Sequence, residues 1–255
     1  MRFLKLWVAS AVIALYGCTP PTPPSSSSSS PSSSSIQAPQ TFEEAKRIAR
    51  DIYDTKGERV TFYCGCNYTD NDVDPESCGF KPRKNEKRAD RIEWEHVVPA
   101  HALGGQRSCW KEGGRDLCGK EDKNFARAEA DLHNLVPAIG EVNGDRSNFP
   151  LTVVDVRPEI ENQYGQCDMV VDFQNRKAMP PARVRGAVAR IYLYMNDKYG
   201  LNLSTQDRRI YAEWNSKYPP TQKEKKRNQD VACKMGWGNP YVGEVDMSKC
   251  STASR

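Results

Sequence analysis

The amino-acid sequence predicts an α+β fold: a single, mostly helical domain around a small strand–strand–helix unit, cross-linked by disulfides. Three observations indicate it. Two short apolar runs each meet a proline, two longer segments carry a helix signal, and the chain contains nine cysteines. With 255 residues, 38% of them hydrophobic, the chain is long enough to bury a substantial core.

The first strand is predicted within Arg-Ile-Glu-Trp-Glu-His-Val-Val-Pro-Ala, residues 91–100. Apolar residues alternate with Glu93 and Glu95, so the two glutamates share one face before Pro99 ends the strand. His96 follows directly, and a carboxylate beside an imidazole can hold a metal ion and accept a proton from water. An isolated Glu-His pair is more often a solvated strand end, so the prediction depends on a second segment.

That second segment is Asp-Leu-His-Asn-Leu-Val-Pro-Ala-Ile-Gly-Glu-Val-Asn-Gly-Asp-Arg-Ser-Asn, residues 131–148. Its Asn-Leu-Val-Pro-Ala resembles His-Val-Val-Pro-Ala of the first, so we expect two strands, each ended by proline, to pair antiparallel. A short helix over 138–148 would then bring Asn143 towards Glu95. One amide oxygen and one carboxylate leave most of an octahedral shell to water and phosphate, as Mg²⁺ prefers. The segment also fits a plain capped turn.

The remaining regular elements are predicted from helical and strand patterns. A helix is expected over 41–53, where Thr41 and Glu44 have the spacing of a capping box. A second helix is expected over 181–199, where apolar residues keep helical spacing, and a short strand over 169–173. Helices are therefore expected to surround the strand–strand–helix unit.

The N-terminus predicts export. Residues 1–17 combine Arg2 and Lys5 with an apolar run that is too short to span a bilayer but typical of a secretory signal. Leu-Tyr-Gly-Cys, ending at Cys18, resembles a lipobox, so Cys18 is the expected lipid anchor. We expect a periplasmic, outer-membrane or cell-surface lipoprotein, or a secreted protein, in which only this lipid contacts a membrane.

A tether is predicted between the signal and the folded domain. Residues 18–40 are rich in Pro and Ser and contain little that could form a core, so we expect a disordered tether there and the folded domain over 41–255. The formal net charge of +4 falls to +2 without Arg2 and Lys5, so global charge says little about nucleic acid.

Cysteine parity supports disulfides in an oxidising compartment. Without Cys18, eight of the nine cysteines remain, and eight cysteines allow 105 connectivities. Closeness in sequence favours Cys66 with Cys78 and Cys109 with Cys118. The cysteines left for longer links are Cys64, Cys167, Cys233 and Cys250.

Basic residues are concentrated in two segments that could follow a phosphate backbone. The first comprises Lys81, Arg83, Lys84, Lys87, Arg88 and Arg91. The second comprises Arg176, Lys177, Arg183, Arg185 and Arg190. We interpret the further basic run at 223–227 as an ordinary solvated helix face.

Taken together, these motifs resemble the bacterial endonuclease I family of exported, non-specific nucleases with a ββα-metal (His-Me finger) motif. The resemblance covers most of the chain after about Thr41. Its segments are Phe-Tyr-Cys-Gly-Cys (62–66), Arg-Lys-Asn-Glu-Lys-Arg (83–88), residues 91–100, residues 129–148, Val-Val-Asp-Phe (170–173), Ala-Met-Pro-Pro (178–181) and Asn-Pro-Tyr (239–241).

The resemblance implies a role for each site residue. His96 would be the general base, while Glu95 and Asn143 would hold one Mg²⁺ ion, with other divalent cations possible. Arg115, in the loop between two cysteines, would contact the scissile phosphate. Glu129 would support the active site.

The resemblance also implies the substrates and products. DNA and RNA would both be cut without sequence specificity to leave 5′-phosphate ends, by a protein that we expect to be a monomer. Contacts to nucleic acid are assigned to Arg83, Lys84, Arg88, Asn134 and Arg146.

Two other classes of protein compete with this interpretation. A non-catalytic, disulfide-rich surface lipoprotein could bind nucleic acid through the same basic segments, and only the enzyme predicts cleavage that a chelator stops. A cell-wall hydrolase could use Glu95 as its acid, but this leaves His96 and Asn143 without a role.

Overall fold

Helices carry most of the regular structure in the computed structural model, which describes residues 36–55 and 59–250. They are α1 (Phe42–Thr55), α2 (Glu86–Ala89), α3 (Ala100–Gly104), α4 (Ser108–Glu121), α5 (Lys123–Glu129), α6 (Gly140–Arg146), α7 (Ala182–Tyr199), α8 (Thr205–Lys217) and α9 (Gln222–Met235). The strands are β1 (Tyr68–Thr69), β2 (Asp72–Val73), β3 (Ile92–His96), β4 (Leu135–Ile139), β5 (Val170–Asp172) and β6 (Lys177–Met179). The described residues belong to one compact unit, and the predicted single-domain α+β fold is confirmed.

The predictions for the N-terminus lie mostly outside the described residues. The signal segment 1–17, Cys18 and the tether as far as residue 35 are not among them. Within 36–55 and 59–250, none of the helices is both long enough and apolar enough to cross a bilayer.

The described strands pair as three two-stranded antiparallel sheets, β1–β2, β3–β4 and β5–β6. In the central sheet Ile92 pairs with Ile139 and His96 with Leu135. The expectation that proline ends each strand is wrong for the second, because Pro137 lies inside β4 opposite Trp94. Both strands of a two-stranded sheet are edge strands. A proline is tolerated in β4 because no third strand needs a hydrogen bond from its backbone nitrogen.

The two helices that the sequence predicts outside the site, over 41–53 and 181–199, begin and end close to the predicted residues, whereas the sequence predicts no bounds for α4, α8 and α9. The Thr41 hydroxyl accepts a hydrogen bond from the backbone N–H of Glu44 at 3.2 Å, which caps α1 as the capping-box pattern requires. The predicted helix over 181–199 is observed as α7, and the predicted strand over 169–173 as β5.

The central sheet lies between two apolar clusters. Val136 and Ala138 of β4 belong to the larger cluster, with Val188 and Met195 of α7. Leu135 belongs to the second cluster, which joins α1, α9 and the turn at 132–134. Burial on both faces fixes the register of β4, and with it the position of each polar residue on the facing strand.

Four disulfides connect the described cysteines: Cys64–Cys167, Cys66–Cys78, Cys109–Cys118 and Cys233–Cys250. The structure thus contains both short pairings that the sequence favoured. It also resolves the two longer ones that the sequence left open.

The interpretation of residues 223–227 as a solvated face is wrong at one position. Arg227 donates hydrogen bonds to the Tyr53 hydroxyl at 2.8 Å and to the carbonyls of Leu132 and Leu135 at 2.8 and 2.9 Å. This arginine therefore ties α9 to α1 and to the start of β4, because free carbonyls there need a donor.

Candidate active site

The strands β3 and β4 and the helix α6 form the ββα unit that the sequence predicts. Glu95 and His96 are the last two residues of β3, and Asn143 lies on α6, which follows β4 without a loop. Because α6 packs against β3, the face of β3 that carries Glu93 and Glu95 is directed to this helix.

The protonation pattern of His96 is set by a backbone carbonyl. Its Nε2 lies 2.7 Å from the carbonyl oxygen of Glu129, and because a carbonyl only accepts, Nε2 must carry the hydrogen. Nδ1 then holds a lone pair, and in the described part of the chain it has no hydrogen-bond partner. Burial lowers the pKa of His96 to about 4, although the bond to the carbonyl opposes this shift. The imidazole is neutral at pH 7, with Nδ1 able to take a proton.

Glu95 is held from one side by two donors. Its Oε1 accepts hydrogen bonds from the Tyr63 hydroxyl at 2.9 Å and from Nη1 of Arg146 at 2.7 Å. Burial raises the pKa of Glu95, and the guanidinium of Arg146 opposes this by favouring the ionised carboxylate. No donor in the described residues bonds to Oε2, so this oxygen is the one available to a cation.

Arg146 is the cation that compensates the buried carboxylate. It is 0% exposed and also donates to the backbone carbonyls of His96 and Val97. A single side chain on α6 thereby fixes the end of β3 at the two residues that carry the expected chemistry.

Arg115 occupies the other side of His96. Its Nε donates to Oε1 of Glu129, and its guanidinium lies 4.7 Å above the ring of Phe42. The Phe42 ring is also 4.7 Å from the imidazole of His96, measured between ring centroids. The Arg115 side chain remains about two-fifths exposed, so the guanidinium can reach a bound phosphate.

The segment that carries Arg115 is a broken helix rather than the expected loop. α4 loses helical geometry at Gly113 and Gly114, and Gly114 has a positive φ of 69° that favours glycine. The Cys109–Cys118 disulfide spans this break. Arg115 thus begins the second half of α4 within a closed ring of ten residues.

The residues present fit a hard divalent cation. Glu95 offers a carboxylate oxygen without a donor, and Asn143 offers an amide oxygen, which are the ligand types that Mg²⁺ prefers. In the described residues no three His, Cys, Asp or Glu side chains form a metal-binding cluster. Glu95 and Asn143 are the residues that could hold such a cation.

Two residues that we assigned to nucleic acid are buried instead. Asn134 is 0% exposed, and its amide both donates to and accepts from the backbone of Val98, at 2.9 and 2.7 Å. Arg146 is equally buried against Glu95. Direct contact with nucleic acid does not fit either position, because neither side chain has surface to offer; both instead hold β3 in place.

The basic segment before β3 packs against α6 through hydrogen bonds and an ion pair. The Glu141 carboxylate accepts backbone N–H bonds from Arg83 and Lys84 at 2.9 and 2.6 Å. The Arg83 guanidinium forms a two-bond ion pair with Asp145, at 2.8 and 2.9 Å. Lys84 is exposed and forms no ion pair among the described residues, so its charge is available to a phosphate.

Sequence reasoning missed three residues that shape the site: Tyr63, Phe42 and Glu93. Tyr63 lies in the Phe-Tyr-Cys-Gly-Cys motif, but the motif alone gives the tyrosine no role. Phe42 directly follows the capping residue of α1, and nothing in the sequence places it against His96. Glu93 shares a strand face with Glu95 through the period-two pattern, which is the signal that could have indicated it.

Comparisons with known proteins show the family to which the chain belongs. The sequence model described as Endonuclease I matches residues 32–246. An extracellular deoxyribonuclease of Aeromonas hydrophila is 49% identical over 208 residues, which cover 80% of this chain and 88% of the relative. A periplasmic deoxyribonuclease of Aeromonas hydrophila is 46% identical over 81% of this chain and 86% of its own length.

A third relative, an Endonuclease-1 of Buchnera aphidicola subsp. Acyrthosiphon pisum, is 45% identical over 80% of each chain. The matched family and these relatives show that the chain is an endonuclease. This chain belongs to the Endonuclease I family.

Proposed function

We propose that this endonuclease is exported and acts as a monomer, with His96 as general base and one divalent cation, preferably Mg²⁺. It would cut both DNA and RNA without sequence specificity. The observation that carries the catalytic part of the proposal is the hydrogen bond from Nε2 of His96 to the Glu129 carbonyl. It leaves a neutral imidazole with a free lone pair beside Glu95, which is what a general base for water needs.

His96 then begins the reaction. Nδ1 takes a proton from a water molecule as the water oxygen attacks phosphorus, and the bond between phosphorus and O3′ breaks. The electron pair of that bond goes to O3′, which is protonated from solvent, so the products carry 5′-phosphate and 3′-hydroxyl ends. Glu129 keeps the imidazole in the required tautomer through its carbonyl oxygen.

Arg115 stabilises the charge that develops on phosphorus oxygens. Its planar guanidinium stays protonated, and its terminal nitrogens are the ones not used by Glu129. The chemistry that a cation held by Glu95 and Asn143 supplies is neutralisation of charge on the phosphate and on the departing oxygen.

Cleavage of supercoiled plasmid with and without EDTA tests the activity. We expect nicking in Mg²⁺ that EDTA abolishes, and a loss of about 10²- to 10⁴-fold in His96→Ala with binding retained. His101→Ala is a matched control, because this exposed histidine on α3 contacts only Trp110 among aromatic rings of the described residues. Binding without cleavage in Mg²⁺ would favour the non-catalytic lipoprotein.

Lack of specificity is proposed because contacts to phosphate carry no sequence information directly. Lys84 is the proposed phosphate contact, because Arg83 already uses its two-bond fork for Asp145. We expect smeared rather than discrete fragments from unrelated plasmids, and degradation of RNA under the same conditions. A discrete ladder would contradict the proposal.

Export is proposed from the signal pattern in residues 1–17, and it is supported by relatives named as extracellular and periplasmic nucleases. Cys18 is the proposed lipid anchor. Cys18→Ser should move the protein from the membrane fraction to the soluble fraction of the producing cell, while a wild-type protein already soluble would refute lipidation.

A further inference from the structure

Glu93 is a carboxylate with four donors around it, and the proposed reaction gives it no role. Arg88 donates to it through Nε at 3.0 Å and through Nη2, and Arg91 donates through Nη2 at 3.0 Å. The fourth donor is Nδ2 of Asn143, which lies 3.1 Å from Oε2 of Glu93. The expected cation ligand Asn143 is therefore joined directly to Glu93.

This contact fixes which end of the Asn143 amide is free. An ionised carboxylate accepts hydrogen bonds and donates none, so the amide must turn its NH₂ group to Glu93. Oδ1 is then the end directed elsewhere, and in the described residues it has no donor. An amide rotated by half a turn would instead present N–H groups, which repel a cation.

Arg88 holds Glu93 in this position, and a glycine makes room for Arg88. A Cβ at Gly144 would lie 2.0 Å from Nη1 of Arg88 and 2.4 Å from its Cζ. A Cβ at Gly140 would lie 2.6 Å from the Arg88 carbonyl and 2.9 Å from Oε1 of Glu93. The guanidinium thus lies directly over the backbone of α6, next to Asn143.

We propose that Glu93, held by Arg88 over Gly144, is a positioning residue that presents the carbonyl oxygen of Asn143 to the cation. This proposal rests on the proposed function, since it assumes that Asn143 is a ligand. It also changes the role of Arg88. Nε and Nη2 of Arg88 both donate to Glu93, so we assign Arg88 to orientation of the ligand rather than to contact with phosphate. Partners of this kind typically change metal affinity by about 10- to 100-fold.

A titration of the mature protein with Mn²⁺ tests the proposal. Binding is measured by calorimetry and by the electron paramagnetic resonance signal of free Mn²⁺. We expect Glu93→Gln to weaken Mn²⁺ binding by about 10- to 100-fold, because a glutamine can offer N–H to Asn143 and allow the amide to rotate. Glu86→Gln is the matched control: it makes the same change at an exposed residue of α2 without an ion pair among the described residues, and it should bind Mn²⁺ like the wild type.

Gly144→Ala separates orientation from folding. Alanine is a better helix former than glycine, so the variant should be as stable as the wild type or more so, yet its methyl group displaces Arg88. We expect weaker Mn²⁺ binding with an unchanged or higher unfolding midpoint. Arg88→Lys, which keeps the charge and loses the two-bond fork, should weaken Mn²⁺ binding while the salt dependence of DNA binding stays the same.

The outcomes distinguish the two proposals. If Asn143→Ala weakens Mn²⁺ binding while Glu93→Gln and Gly144→Ala bind like the wild type, Asn143 is a ligand and the positioning role is wrong. If the wild type binds no Mn²⁺, the metal-dependent function fails and the positioning role fails with it.

Discussion

The two sides of His96 are built differently. On one side Glu95 and Arg146 are 3% and 0% exposed, and their charges compensate each other inside the protein. On the other side Arg115 has one carboxylate partner, Glu129, and a side chain that is 41% exposed. The first side is fixed by buried hydrogen bonds, and the second by a short disulfide ring and the ring of Phe42.

This difference corresponds to two tasks. Ligands for a cation must keep their geometry within a fraction of an ångström, and a buried, hydrogen-bonded frame provides this. An arginine that meets a phosphate needs donors left over and some freedom to follow the oxygens as charge develops. We therefore expect damage on the Glu95 side to affect folding and damage on the Arg115 side to affect turnover.

The largest expected effect is on the buried side. Arg146→Met removes the only guanidinium that contacts Glu95 in the described residues and leaves an uncompensated buried carboxylate, which typically costs about 3–5 kcal/mol. Urea unfolding at pH 7 measures this loss. Arg83→Met is the matched control, because its ion pair with Asp145 is partly exposed and such pairs contribute about 1 kcal/mol or less. Equal losses in the two variants would contradict the distinction.

The sequence predicted the parts of the site that depend on local pattern. Sequence pattern predicts the alternation around Glu95, the strand that ends at His96 and the helix that carries Asn143, since each follows from a period or a turn signal. It does not predict the partners of these residues. Phe42 and Arg146 meet His96 and Glu95 only through tertiary packing, and a basic residue in a polar motif suggested contact with phosphate rather than burial.

The next effect is on the Arg115 side. Replacing Cys109 and Cys118 by serine removes a constraint on a short loop, and the chain-entropy account gives a loss of about 2–3 kcal/mol in unfolding free energy. It also frees the segment that carries Arg115, so kcat should fall even in the folded enzyme. Denaturant unfolding and cleavage assays on the same preparation measure both quantities.

The Cys233–Cys250 disulfide provides the control for this prediction. It closes a longer loop, with a sequence separation of 17 against 9, at the end of α9, and no proposed site residue lies within that loop. Its removal should lower stability by about as much, or slightly more, but leave kcat of the folded enzyme unchanged. If both double variants lose kcat equally, the bridge near Arg115 has no special role in the site.

The smallest expected effect comes from Phe42, whose ring contacts both the imidazole of His96 and the guanidinium of Arg115. Phe42→Leu keeps apolar cover but removes the π face under the guanidinium, and such contacts contribute about 0.5–2 kcal/mol. If half of that contact is made only while Arg115 holds the reacting phosphate, kcat should fall by about 1.5- to 5-fold. Phe173→Leu is the matched control, because this ring lies 4.6 Å below Arg83, outside the catalytic residues. Steady-state cleavage of a short duplex measures kcat separately from KM, and an unchanged kcat in Phe42→Leu would show that the Phe42 ring does not position Arg115 for the reaction.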